Sequence, residues 1–74
     1  MRKIQFRLRE LMATRKRRTG ETVTYETMNQ ATGISTNTLS KMAQGKLEMV
    51  GISVIERLLD YFECSVADLI VYEE

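Results

Sequence analysis

The side chains best equipped for recognition chemistry stand together between Thr36 and Gln44, in the run TNTLSKMAQ. On a helical wheel Thr36, Asn37, Ser40, Lys41 and Gln44 fall on one side, while Leu39 and Met42 fall on the other with Thr38 and Ala43 at the margins. The first set donates and accepts hydrogen bonds and carries no negative charge, and no Asp or Glu occurs between Glu26 and Glu48. A merely solvated helix face would mix both signs of charge. This face suits the major groove of double-stranded DNA, where Asn and Gln pair to adenine, Lys pairs to guanine and Thr methyls meet thymine.

The inventory excludes most other chemistry. The chain has no His, which removes the usual general base and the commonest zinc ligand, so neither a metal site nor a His-based triad is expected. No nucleophile-base pair can be assembled, and neither an enzyme nor a cofactor is expected. Cys64 is the only cysteine, so no internal disulfide forms, and a reducing compartment, the cytoplasm, is the expected location. Cys64 itself reads as a small apolar packing residue rather than a reactive thiol. No apolar run approaches the ~18 residues of a membrane span.

Charge is divided unevenly along the chain. The formal net charge is +1, yet residues 1–20 hold eight basic residues against Glu10 alone, a balance of +7, while the rest holds three basic and nine acidic ones, a balance of −6. Such a split marks a side that faces a polyanion, or else a solvated basic segment. Arg17 and Arg18, in the polar stretch RKRRTGET, are the expected phosphate contacts, since they precede a helix whose N-terminal N–H groups also favour an anion.

Helix signals show how this surface is carried. At 74 residues with 43% hydrophobic content the chain is expected to form one domain, 1–74, around one core. A cap flanked by apolar residues at N′ and N4 occurs four times: Val23-Thr24 with Met28, Ile34-Ser35 with Leu39, Val50-Gly51 with Ile55, and Cys64-Ser65 with Leu69. Ser65 and Asp68 also have capping-box spacing, and Ser53 with Glu56 offers a competing start for the fourth helix. Ile4, Leu8, Leu11 and Met12 have helical spacing ahead of them, although Ile4, Phe6 and Leu8 also alternate as a strand would. The expectation is an all-α, compact five-helix bundle with helices over 3–14, 25–32, 36–44, 52–63 and 66–71. Thr24 and Ser35 lie eleven residues apart with Gly33 between them, so the second and third helices cross steeply as a helix-turn-helix over about 25–44. The five Met residues read as core fillers.

The run TYETMNQATGISTNTLSKMAQGK followed by ISVIERLLDYFECSVADL resembles the lambda-repressor-like helix-turn-helix family of Cro and Xre-type transcriptional regulators. The resemblance spans about residues 4–71 and rests on Met28, Gly33, Ile34, Leu39, Met42 and Gly45, then on Leu58, Phe62, Ser65, Asp68 and Leu69. It implies a sequence-specific DNA-binding regulator, mostly a repressor in that family, of bacterial or phage origin, with the third helix in the major groove. By position it implies base contacts from Thr36, Asn37 and Lys41, with Ser40 on the same face. It implies a phosphate contact from Tyr25 and a backbone-facing loop at Gly45 and Lys46, and Ser35 and Gln44 are expected to join these backbone contacts. Asn29 and Thr32 depart from the family's apolar residues, and either side chain can cap its own helix end.

A domain of this size reads few base pairs, each worth about 1–3 kcal/mol, so specificity in a genome calls for a homodimer on an inverted repeat. The apolar run Leu69-Ile70-Val71-Tyr72 reads either as core closure or as the dimer seam, with the first helix as second candidate. The rival reading, from another class, is a protein-binding helical module such as an antitoxin or adaptor, whose function would not depend on the basic residues.

Overall fold

The computed structural model describes residues 3–73. Its elements run β1 (Lys3–Phe6), α1 (Leu8–Thr19), α2 (Tyr25–Thr32), α3 (Thr36–Gln44), α4 (Ile52–Phe62), α5 (Val66–Leu69) and β2 (Ile70–Glu73). The fold is mostly helical with five helices among the described residues, and the all-α expectation is corrected by a two-stranded antiparallel ribbon.

The late start of the first helix and the early end of the fifth have one cause, while the first helix also runs past its expected end at residue 14. The register pairs Lys3 with Glu73 and Phe6 with Ile70, and Arg7 N–H donates to Leu69 O at 2.7 Å where the ribbon ends. Ile4, Phe6, Ile70 and Tyr72 therefore share one face. Phe6 and Ile70 pack on the core, while Ile4 and Tyr72, opposite each other at the far end, stay 54% and 62% exposed. The first helix thus starts at Leu8, not at residue 3, and the fifth ends at Leu69, not at residue 71. Residues 3–6 gain their backbone partners from the other end of the chain, where β-branched and aromatic residues favour a strand. At its other end α1 runs on through the basic residues, because Lys16, Arg17 and Arg18 complement the negative end of its dipole; Gly20, at φ 78°, then stops it.

The local cap signals place the remaining helices. Gly51 is the N-cap of α4, so the staple prevails over the competing Ser53 start, and α5 carries the Ser65–Asp68 capping box. Each helix delivers side chains to one core of Leu8, Met28, Ile34, Leu39, Met42, Leu58, Phe62 and Leu69, all buried. Leu69 therefore closes the core rather than lining a surface. Met28 and Met42 fill this core and Met12 packs against it, but Met49 is 86% exposed in the α3–α4 loop and is not a core filler, and Met1 lies outside the described residues. Cys64 is half-buried against the core, and burial first, then the nearby Asp68 carboxylate, pushes its thiol pKa up.

Candidate nucleic-acid interface

The turn between α2 and α3 sets how the polar face is presented, and most of its links are hydrogen bonds between near neighbours. Thr24 caps α2 by accepting from Thr27 N–H at 3.1 Å, while Thr24 N–H donates to Thr27 Oγ1 at 2.9 Å, a reciprocal box built from two threonines. Gly33 leaves the helix at φ 77°, its N–H donating to Asn29 O. Thr32 and Asn29 then brace the turn: Thr32 Oγ1 donates to Met28 O at 2.6 Å and accepts from Ile34 N–H at 3.2 Å, and Asn29 Nδ2 donates to Ile34 O at 2.8 Å. Thr32 thus ties off the end of its own helix, as expected of it, while Asn29 reaches past that end to Ile34 in the turn rather than capping it. Arg57, from α4, adds a longer contact of 3.4 Å to Thr32 O.

α3 presents the face that the wheel describes. Leu39 and Met42 are buried, Thr38 and Ala43 are half-buried at the margins, and Thr36, Asn37, Lys41 and Gln44 are exposed; Ser40 is half-buried between them. Ser35 caps the helix, accepting from Thr38 N–H at 3.1 Å and donating its own hydroxyl proton to Thr38 Oγ1 at 2.8 Å. Its proton is thus engaged inside the protein, and the donors this end offers outward are the N–H groups of the first turn. Gln44 Nε2 donates to Ser40 Oγ at 3.1 Å, one helical turn back. Tyr25 is half-buried against the core and lines a groove with Thr24, Glu26 and Thr36, so the starts of α2 and α3 lie side by side. At the other end Gly45 takes φ 72°, with its N–H on Met42 O and the Lys46 N–H on Lys41 O.

The basic segment separates into different jobs. Arg15 is turned inward: its guanidinium donates to Tyr61 O at 2.6 Å and stacks 4.2 Å from the Tyr61 ring centroid, fastening α1 to the end of α4. Arg17, exposed, donates to Thr14 on its own helix at 3.3 Å and has no other partner among the described residues. Arg18 lies 3.7 Å from the Glu63 carboxylate, in a groove shared with Cys64 and Asp68 that no residue of α3 lines. Arg17 and Arg18 thus belong to the last turn of α1, not to a loop leading into α2.

Two residues that sequence patterning passes over come close to the interface. Lys3 and Gln5, on β1, line a groove with Gln44 and Gly45 at the C-terminal end of α3. Nothing local signals this, because only the pairing of the chain's two ends carries them there.

No helix among the described residues is long and apolar enough to cross a membrane, and no group of three or more His, Cys, Asp or Glu among them is placed to hold a metal ion. The family model of the Cro/C1-type HTH DNA-binding domain matches residues 7–74. No curated protein and no solved structure shows a significant match to the chain.

Proposed function

The chain belongs to the Cro/C1-type HTH DNA-binding domain family, and from that premise we propose that it is a sequence-specific transcriptional regulator that reads the major groove with the outer face of α3. The observation that carries this reading is the exposed, acid-free set Thr36, Asn37, Lys41 and Gln44, with Ser40 beside them, on a helix whose opposite side is buried. Base preference then comes from Thr36, Asn37, Ser40 and Lys41. Tyr25, Ser35, Gln44, Lys46, Arg17 and Arg18 are assigned to the sugar-phosphate backbone, with the Ser35 end acting through first-turn N–H groups. Arg18, facing Glu63, contributes less than Arg17.

Occupancy alone blocks a polymerase and needs no further contact, so the simplest regulatory sign is repression, in the cytoplasm of a bacterial or phage-bearing cell. A homodimer on an inverted repeat supplies the specificity one copy lacks. Titrating the chain onto a pool of random duplexes tests the reading. Weak binding at low salt that falls steeply as salt rises is expected; no binding to any duplex would contradict it and favour a protein-binding adaptor.

A further inference from the structure

We propose that Lys3, carried by β1, joins Lys46 in a two-ammonium clamp on the DNA sugar-phosphate backbone at the C-terminal end of α3, making the ribbon part of the DNA-binding surface. The proposal rests on the DNA reading above and adds a contact that neither helix of the helix-turn-helix carries.

The geometry begins at Gly45. A Cβ there would lie 3.6 Å from Lys3 Nζ and 3.7 Å from its Cε, so the lysine from the first strand lies directly against the end of α3. The N–H groups of Gly45 and Lys46 are already engaged. Gly45 N–H is held by Met42 O at 3.2 Å and Lys46 N–H by Lys41 O at 2.9 Å, the paired bonds of a Schellman ending. A phosphate contact from Lys3, Gly45 or Lys46 must therefore come from a side chain.

Those side chains are present and uncommitted. Among the described residues Lys3 and Lys46 take no ion-pair partner, both are exposed, and the Gln5 and Gln44 side chains line the same groove as Lys3. No acidic residue lines that groove, whereas the groove that Lys3 and Lys46 line together also carries Glu48, with Ile4 and Tyr72. The negative end of the α3 dipole favours both ammonium groups before DNA arrives, so the clamp is partly organised in advance. α3 has nine residues, a length of about 13 Å. That is close to the about 12 Å width of the major groove, so the end remote from Asn37 comes near a phosphate wall.

The test uses the full chain, a selected duplex and a scrambled duplex of equal length, over a salt series. Lys3→Gln is expected to weaken binding by the same factor on both duplexes, roughly tenfold at 0.1 M salt, and to flatten the log-log salt slope by about 0.9. Lys3→Arg, which keeps the charge, is expected to retain the wild-type slope, and neither change should shift the melting temperature of an exposed position. An unchanged slope in Lys3→Gln while wild type binds overturns the clamp alone. A shift in base preference with no change of slope also overturns it, because Lys3 would then be bracing α3 rather than meeting phosphate. If the wild-type chain binds no duplex, the DNA reading falls and the clamp falls with it.

Discussion

Asn37 and Lys41 differ from Ser35 and Gln44 in what their polar atoms already hold. Ser35 is engaged with Thr38 and Gln44 with Ser40, whereas Asn37 and Lys41 take no such partner among the described residues. Asn37→Ala and Lys41→Ala are therefore each expected to lose about 1–3 kcal/mol at the preferred site and to relax preference at one base pair, with helicity intact. Competition binding against single-base-pair variants of the site checks this; two variants with wild-type selectivity would remove these residues from the groove. Glu63 supplies a different kind of test. It holds φ 52° at the end of α4, a left-handed conformation that suits glycine, so Glu63→Gly is expected to raise stability by about 1 kcal/mol. The lost Arg18 pair offsets little, since both side chains are at least half exposed. A melting curve that moves down instead would show that the pair outweighs the backbone strain. Cys64, its thiol pKa pushed up by burial and then by Asp68, presents less thiolate at any given pH than a free cysteine. It should alkylate correspondingly slowly near pH 8.

Arg15 and Arg17 lie on the same helix, yet their exposures assign them opposite roles. Arg15→Gln is expected to destabilise the fold by about 1–3 kcal/mol, since it removes the bond to Tyr61 O and the stacking on the Tyr61 ring. Replacing Arg17 and Arg18 with Gln should leave the melting temperature nearly unchanged, weaken DNA binding about equally on every sequence, and flatten the salt slope by up to about one unit per lost phosphate contact. An unchanged slope would return the pair to a solvated basic surface. The same contrast explains which elements were legible in advance. α2 and α3 are bounded by Thr24, Gly33, Ser35 and Gly45, whose effects are local, and their expected spans match the observed ones. β1 depends on Ile70–Glu73, at the other end of the chain, and no local pattern reports that partner. The alternation of Ile4, Phe6 and Leu8 hints at a strand, but Ile4 and Leu8 also fit the helical spacing of Leu11 and Met12. The inward turn of Arg15 was hidden for a related reason: a basic run looks uniform until packing selects the one member that faces a neighbouring helix. Lys3 was out of reach for both reasons together.

The whole molecule presents its polar helix and its ribbon from one small core, and the ribbon fixes what is left for assembly. Leu69 is fully buried and Ile70 packs on the core, so the expected seam of residues 69–72 contracts to its far end, where Tyr72 and Ile4 expose apolar surface. Tyr72→Asp is accordingly expected to keep the fold and lower the dimer fraction on DNA, whereas Leu69→Asp should unfold the chain, since it buries a charge with no partner. A Tyr72→Asp protein that still loads two copies per site would move the seam elsewhere. The central claim, that the outer face of α3 reads base sequence, is tested most directly by selecting binding sites from random duplexes at two salt concentrations. The account predicts an enriched inverted repeat with half-sites about 34 Å apart, whose base preference persists as overall affinity falls with added salt. Recovery of no preferred sequence at either salt concentration, or an affinity indifferent to salt, would contradict it.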